Sequence, residues 1–184
     1  MMEVKVIKNI EIVSIDDKND RKLYEYLPWW VESINKEKKM LQTTEESLLS
    51  ELLVATFAVS SETGDVVAAA GIVNARNKHN TEIVWNNKKV IEIGSNFVSP
   101  DFRNQGIGRR LVERRLELCK ERGWIPVSVT TNPAMLRIFS KFNAVPMDGI
   151  EEYKKLREDL CLCAVVSCDC SFCPLHPQAG WIFL

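Results

Sequence analysis

The sequence predicts a mixed α/β fold built around one main domain. Segments with helical spacing of apolar residues are interspersed with β-rich runs, and two of these runs flank a glycine-containing turn. The chain has 184 residues, 46% of them hydrophobic and 27% charged, which is enough for a hydrophobic core and ordinary for a globular protein. We expect a main domain in residues 1–150 and a cysteine-rich extension in residues 151–184, packed on the main domain or appended to it.

The predicted elements of the main domain alternate along the chain. In order, they are a strand (Ile10–Ile15), one or two helices in Asp16–Leu41 broken near Pro28, a helix from Thr43 through Leu53, two hairpin strands (Thr56–Ser60 and Val66–Val73), a strand (Val90–Val98), a helix (Gly106–Gly123), a strand (Ile125–Thr130), a helix (Pro133–Phe142) and a short strand (Ala144–Met147). Residues 74–89 lack a clear pattern, and we interpret them as a loop.

Local signals support these assignments. Thr43, with Glu46 three residues later, matches a capping box at a helix start. A turn containing Gly64 separates the hairpin strands, and Gly123 is a usual residue just beyond a helix end. Within the long helix, we interpret the charged run that includes Arg115 as the solvent-facing side, together with Glu113, Arg114 and Glu117. Cys119, among apolar neighbours in mid-helix, is a poor nucleophile candidate.

A glycine-containing loop joins a predicted strand to the long helix. It reads Arg103-Asn104-Gln105-Gly106-Ile107-Gly108. Its glycines let the backbone approach a ligand closely, and the N–H groups and dipole of the following helix favour an anion such as a pyrophosphate. A dinucleotide fingerprint fails because Leu111 stands where a third glycine is needed, and an ATP-type loop fails because no Gly-Lys-Ser/Thr follows. An ordinary turn before a helix is the alternative.

The segment Val98–Leu111 (VSPDFRNQGIGRRL) resembles the central motif of the GNAT superfamily of N-acetyltransferases. The resemblance implies the GNAT fold, a mixed and mostly antiparallel central sheet flanked by helices, and acetyl-CoA as cosubstrate. It implies that the loop amides bind the pyrophosphate of coenzyme A. The cofactor-binding residues carried over by the resemblance are Asn96, Phe97, Val98, Arg103, Asn104, Gln105, Gly106, Ile107, Gly108, Arg109, Asn132 and Phe139.

A second motif begins at Asn132-Pro133. Asn132 is a good N-cap and Pro133 a good first helical residue, and capping alone explains both. By the resemblance, Asn132 aligns with an asparagine that helps to hold the cofactor, and Phe139 aligns with a tyrosine that often protonates the leaving thiolate. Asn143 and Ala144 stand where the superfamily often has Gly-Phe. Phenylalanine cannot donate a proton. A thiol has a pKa of ~8.5, so the departing thiolate is only modestly basic, and water or a neighbouring group can protonate it. Loss of the tyrosine should slow the reaction without abolishing it.

The chemistry of amine acetylation needs a base, because an alkyl amine has a pKa of ~10 and is mostly protonated at neutral pH. Strand alternation places Glu92, Gly94, Asn96 and Val98 on one face. The resemblance implies the base role for Glu92, since several protein-lysine acetyltransferases keep a glutamate at this distance before the loop. A solvated glutamate or an ion-pair partner is the alternative. Backbone N–H groups around Asn96 to Val98 are candidates to polarise the acetyl carbonyl.

The C-terminal extension is rich in cysteine. Its thiols are followed by an imidazole, and such ligands suit zinc. The candidates for a structural or regulatory metal site are Cys168, Cys170, Cys173 and His176, preceded by Cys161 and Cys163. The resemblance requires no metal, and packed thiols, disulfides or redox sensing are the alternatives.

Taken together, the residues and the resemblance predict an N-acetyltransferase that transfers an acetyl group from acetyl-CoA to a primary amine by direct attack in a ternary complex. The alternative is an acyl-CoA-binding sensor or interaction module with weak or no catalysis, which Phe139 motivates. The acceptor is left open between a small molecule and a protein amine.

The overall composition predicts the setting of this activity. A formal net charge of −1 gives no basic field for nucleic acid. No apolar run reaches the roughly 20 residues needed to cross a bilayer, and Met1 to Asn9 contain no apolar signal core. We therefore expect a cytoplasmic protein without a membrane partner, with its six cysteines reduced, bound to metal or redox-active, and present as a monomer or homodimer.

Overall fold

The computed structural model describes residues 9–37, 40, 42–77, 79–130, 132–147, 150–153, 155–156, 160 and 180–183. The strands in these ranges are β1 (Ile10–Ile15), β2 (Leu52–Ser60), β3 (Val66–Asn74), β4 (Val84–Trp85), β5 (Lys88–Val98), β6 (Ile125–Val129), β7 (Val145–Pro146) and β8 (Gly180–Ile182). The α-helices are α1 (Arg21–Lys36), α2 (Glu45–Glu51), α3 (Ile107–Glu121) and α4 (Pro133–Phe139), and short 3-10 turns lie at Pro100–Phe102, Ser140–Phe142 and Glu151–Tyr153.

The strands form one mixed sheet that confirms the predicted fold class. Their order is β1-β2-β3-β5-β6-β8-β7, and β4 pairs with β5. The pairs β1·β2, β2·β3, β4·β5, β6·β8 and β7·β8 are antiparallel, whereas β5·β6 is parallel. The chain divides into two compact units, the first formed by the described residues up to Val73 with Gly94–Arg115, and the second by Asn74–Ile93 with the described residues from Leu116 onward.

The first unit buries apolar side chains on both faces of its strands. On one face, α1 contributes the buried residues Leu23, Leu27, Trp30 and Ile34, whose spacing of three to four residues forms a single helical stripe. They pack against alternate β2 residues such as Ala55, Phe57 and Val59. The intervening Ala58 belongs to a separate cluster that contains Ile107 and Leu111 of α3. Helices therefore cover both faces of these strands.

Helix α1 is continuous, so the predicted break near Pro28 is wrong. Asp20 begins the helix, because its side chain accepts a hydrogen bond from the backbone N–H of Lys22 at 2.8 Å. Pro28 lies inside the helix on its exposed side. A proline in a helix interior costs about 3 kcal/mol, but the buried stripe continues beyond it through Trp30 and Ile34. Burial of that stripe offsets the local cost.

Helix α2 begins one residue later than the capping pattern predicts. Thr44 is the N-cap, and its hydroxyl accepts from the N–H of Ser47 at 3.1 Å. The predicted cap, Thr43, instead donates its N–H to the side chain of Asn35 at 2.9 Å, so that N–H is already used outside the helix. The helix ends at Glu51, before the predicted Leu53, because β2 starts at the next residue.

The second unit contains a hairpin where the sequence predicted a loop in residues 74–89. Strand β4 pairs with the start of β5, with Val84 opposite Lys89 and Trp85 opposite Lys88. The connecting residues Asn86 and Asn87 both have positive φ, at 49° and 59°. Positive φ at both central residues is the requirement of a type I′ turn, and asparagine tolerates it well. The Asn-Asn pair is the signal that could have revealed this hairpin.

Strand β8 is the other element that the sequence did not predict. It pairs with β6, from Val127 opposite Ile182 to Val129 opposite Gly180, and it pairs with β7 as well. Ile182 is fully buried in a cluster with Val127 and Met147. Three residues near the C-terminus therefore complete the second unit. Among the described residues, no helix has the length and apolar character needed to span a membrane.

Candidate functional site

The predicted phosphate loop lies in the first unit, between the 3-10 turn that follows β5 and the start of α3. Asn104 and Gly106 both adopt left-handed backbone conformations, with φ of 63° and 79°. A Cβ added at Gly106 would meet no atom within 4 Å, so glycine is favoured there by the backbone conformation rather than by space. The Gly106 carbonyl accepts the N–H of Arg110 at 3.1 Å, which closes the first turn of α3. Ile107 is buried and anchors that turn.

The side chain of Arg103 is engaged by protein groups. Its Nε donates to the Val98 carbonyl at 3.0 Å, and its Nη2 lies 3.1 Å from a carboxylate oxygen of Glu37, next to the end of α1. The guanidinium carbon lies 6.0 Å from the centre of the Phe97 ring. Arg103 therefore fastens the loop to the end of β5, whereas Arg109 is exposed on the first turn of α3.

Strand β5 carries an irregularity at Ser95, whose φ of 51° is left-handed. Such a residue interrupts strict alternation, as in a β-bulge, so the predicted common face of Glu92, Gly94, Asn96 and Val98 does not continue through it. The Ser95 carbonyl accepts a hydrogen bond from the indole N–H of Trp30 at 3.1 Å. The next two side chains contact different helices. Asn96 accepts from Arg115 of α3, and the Phe97 ring lies 5.7 Å from that of Trp29 in α1.

Arg115 is fully buried, so its predicted place on the solvent-facing side of α3 is wrong. Its guanidinium donates to the carbonyls of Leu111, Gly71 and Gly94 at 3.0, 3.1 and 3.3 Å, and to the side-chain oxygen of Asn96. The sequence contained a signal for this burial. Ile107, Leu111 and Arg115 are spaced by four residues and lie on one side of α3, so the arginine continues an apolar stripe.

Glu92 lies in the second unit, where β5 runs parallel to β6. It stands opposite Val127, at the last position of a register that starts with Val90 opposite Ile125. Val90, Ile91 and Ile93 are fully buried, whereas Glu92 is partly exposed. The strand therefore presents one carboxylate within an apolar run.

Asn132 and Phe139 begin and end α4, also in the second unit. Asn132 is the predicted N-cap, because its side-chain oxygen accepts the N–H of Ala134 at 2.9 Å. Phe139 is fully buried, with its ring centre 5.0 Å from that of Phe183 and 6.5 Å from that of Trp181. Its side chain forms part of an aromatic cluster.

Comparison with known proteins decides the family. The sequence model described as the acetyltransferase (GNAT) family matches residues 19–143. The chain belongs to the GNAT acetyltransferase family. No curated protein matches its sequence at a significant level.

Solved structures share the fold of this GNAT acetyltransferase. Rv2747 of Mycobacterium tuberculosis, in complex with CoA, is 16% identical with a TM-score of 0.56, covering 81% of each chain. YhbS of Escherichia coli, also in complex with CoA, is 16% identical with a TM-score of 0.54, covering 74% of this chain and 69% of that one. The ribosomal-protein-S18-alanine N-acetyltransferase of E. coli is 17% identical with a TM-score of 0.51. The match covers 75% of this chain and 79% of that one.

A metal site in this GNAT acetyltransferase stays a prediction. Within the ranges that the structure describes, no group of three or more His, Cys, Asp or Glu side chains is placed to hold a metal ion. The four zinc candidates, Cys168, Cys170, Cys173 and His176, lie outside the described residues, as do Cys161 and Cys163. Cys119 is described, and its side chain is buried in α3.

Proposed function

We propose that this protein transfers the acetyl group of acetyl-CoA to a primary amine by direct attack in a ternary complex. The observation that carries the proposal is the loop between β5 and α3. Its left-handed residues Asn104 and Gly106 immediately precede the first turn of a 15-residue helix. The unpaired N–H groups and dipole of a helix start favour a pyrophosphate, and two of the solved structures named above contain CoA.

Acetyl-CoA binding is proposed to use two parts of the first unit. The pyrophosphate would lie against residues 103–109, with Arg109 as an exposed cation at the helix start. The thioester would lie along Asn96–Val98, where backbone N–H groups can donate to its carbonyl oxygen. Asn132 and Phe139 stay candidates for cofactor contact by resemblance alone.

Glu92 is the proposed base. It would remove a proton from the ammonium form of the acceptor, directly or through a water molecule. The amine nitrogen then forms a bond to the acetyl carbon, giving a tetrahedral intermediate whose oxyanion is stabilised by backbone N–H groups. Collapse of the intermediate breaks the C–S bond, and the electron pair leaves with the sulfur. The nitrogen, positively charged after its attack, gives up its second proton to water or a neighbouring group and becomes the amide N–H. Because Phe139 has no acidic proton, water or a neighbouring group protonates the thiolate.

The test is CoA formation from acetyl-CoA across a panel of amines, comparing wild type with Glu92→Gln. CoA should be quantified by chromatography, because a thiol reagent would also react with protein cysteines. We expect kcat to fall by about 10²–10⁴-fold, the usual contribution of a general base, with CoA affinity preserved. Glu62→Gln, in the exposed β2–β3 turn, is the matched control. A fully active Glu92→Gln enzyme would exclude the base role.

The acceptor is proposed to be an amine nitrogen of a small molecule or a protein. The solved structures of similar fold include proteins named as an alanine N-acetyltransferase for a ribosomal protein and as an aminoglycoside acetyltransferase. The first of these names supports nitrogen as the acceptor atom. The panel of amines should include peptide N-termini, lysine peptides, amino acids and aminoglycosides.

A second candidate function is an acyl-CoA-binding module with little catalysis. The observation that favours it is Phe139, which stands at the position of a frequent tyrosine acid and is fully buried against Phe183. Such a module would bind acetyl-CoA and release no CoA with any amine of the panel. Amine-dependent CoA release from wild type would exclude it.

A further inference from the structure

Three consecutive residues of β5 are held by polar donors from two helices of the first unit. From α1, the indole N–H of Trp30 donates to the Ser95 carbonyl at 3.1 Å. From α3, the guanidinium of Arg115 donates to the Gly94 carbonyl at 3.3 Å and to the side chain of Asn96. The middle residue, Ser95, has a φ of 51°, a conformation that serine adopts rarely and that its surroundings must support.

Both donors are fixed in place. Trp30 is fully buried, with its ring centre 5.6 Å from that of Phe57. A Cβ added at Gly71 would lie 3.2 Å from the Trp30 ring, so the indole fills the space beside β3. The guanidinium of Arg115 also donates to the carbonyls of Gly71 and Leu111. A planar group with donors in a rigid fork has little freedom once several acceptors are engaged.

Holding a carbonyl fixes the direction of the N–H on the other side of the same peptide. The described peptide bonds of the chain are trans, and a trans peptide is planar, with its C=O and N–H pointing in opposite directions. The bond from Trp30 to the Ser95 carbonyl therefore directs the Asn96 N–H away from α1. In the same way, the bond from Arg115 to the Gly94 carbonyl directs the Ser95 N–H away from its guanidinium.

We propose that Trp30 and Arg115 are positioning residues that orient the Asn96 N–H as the hydrogen-bond donor to the acetyl carbonyl of the thioester. This inference rests on the proposed acetyl transfer from acetyl-CoA. The two residues touch neither reactant and act through the backbone of residues 94–96. Their removal changes stabilisation of the oxyanion more than it changes binding of the pyrophosphate, which belongs to residues 103–109.

The variants that test this are Trp30→Phe, which removes the indole N–H, and Arg115→Lys, whose single ammonium cannot engage the same set of acceptors. We expect each to lower kcat by about tenfold to a hundredfold, the effect of a small misplacement or partial loss of one oxyanion donor. The Kd of CoA should change less than about threefold. The matched controls, Trp85→Phe and the exposed Lys120→Met, should keep wild-type kcat.

A second measurement is independent of turnover. The amide proton resonance of Asn96 should differ between acetyl-CoA and CoA complexes of wild type, because only acetyl-CoA has the thioester carbonyl that is proposed to accept from this N–H. The difference should shrink in Trp30→Phe and Arg115→Lys. No difference in wild type would overturn the inference, as would unchanged kcat in the folded variants or a loss of CoA affinity equal to the loss of kcat. A normal Asn96 response without amine-dependent CoA release would support the inference while refuting the proposed catalysis.

Discussion

Individual residues with a left-handed backbone conformation shape the candidate site. Asn104 and Gly106 turn the chain into α3, and Ser95 interrupts β5, all three with left-handed φ. Of these, glycine adopts that conformation without steric strain, asparagine tolerates it, and serine adopts it rarely. Polar side chains bind the backbone near these residues, with Arg103 on the Val98 carbonyl and Trp30 on the Ser95 carbonyl.

Gly106→Ala tests the first of these conformations. Alanine at a left-handed φ costs about 1–2 kcal/mol, so both stability and the shape of the loop should suffer. Because the bound loop must keep this conformation, we expect the Kd of CoA to rise by about tenfold, equivalent to 1.4 kcal/mol. Calorimetric titration measures it. Gly64→Ala is the matched control, since Gly64 has a φ of 76° and equally open surroundings in the β2–β3 turn. An equal loss of CoA affinity in both variants would contradict the loop's role.

Glu37→Gln tests the ion pair of Arg103. The pair is partly exposed, with 47% of the Arg103 side chain and 33% of the Glu37 side chain accessible to solvent. We therefore expect the ion pair to contribute about 0.2–1 kcal/mol. Releasing Arg103 for a pyrophosphate should tighten CoA binding up to about fivefold, and this gain should shrink in high salt. Glu32→Gln, which breaks the Glu32–Lys36 pair on the same helix, should leave CoA binding unchanged. Weaker binding in Glu37→Gln would mean that the pair supports the binding conformation.

At the scale of elements, the sequence predicted those helices, turns and caps that neighbouring residues determine. Helix stripes, the β2–β3 hairpin and the Asn132 cap are set by neighbouring residues, and the structure confirms them. The four-residue spacing of Ile107, Leu111 and Arg115 signals burial of this arginine, but the sequence did not reveal which groups accept its hydrogen bonds. Arg115 is buried because acceptors from β3 and β5 surround it, and those acceptors lie far away in sequence. The left-handed conformation of Ser95 is equally hidden, since it is accompanied by a tertiary hydrogen bond from Trp30.

Thr44→Ala tests the corrected start of α2. Loss of the hydroxyl that accepts the Ser47 N–H should lower the free energy of unfolding by about 1 kcal/mol. Chemical denaturation measures it. Thr43→Ala should cost less, because Thr43 is held through its backbone by Asn35 and does not cap the helix. A larger loss in Thr43→Ala would restore the capping box that the sequence predicted.

At the scale of the whole molecule, the sequence predicted the mixed sheet but not all of its strands. β8 has only three residues and follows the cysteine-rich segment. Its place between β6 and β7 depends on pairing with strands distant in sequence, which no local sequence pattern predicts. The division between residues 1–150 and 151–184, the zinc site, the oligomeric state and the cytoplasmic location stay predictions.

Ile182→Ala tests the contribution of β8. Ile182 is fully buried in the apolar cluster of the second unit, and truncating such a side chain costs about 2–5 kcal/mol. Thermal or chemical unfolding measures the loss. Val84→Ala is the control, because Val84 is 65% exposed and should change stability by less than about 0.5 kcal/mol. Equal stability of the two variants would show that β8 contributes little to the second unit.

The central claim is that the loop between β5 and α3 binds the pyrophosphate of acetyl-CoA. Thermal unfolding of the purified protein in parallel with acetyl-CoA, CoA, NADH and ATP tests it most directly. A ligand at about 100 times its Kd adds about 2.7 kcal/mol of stability, which visibly raises the Tm of a domain of this size. We predict a rise with acetyl-CoA and CoA alone. No rise with either ligand, in protein shown to be folded, would contradict the claim.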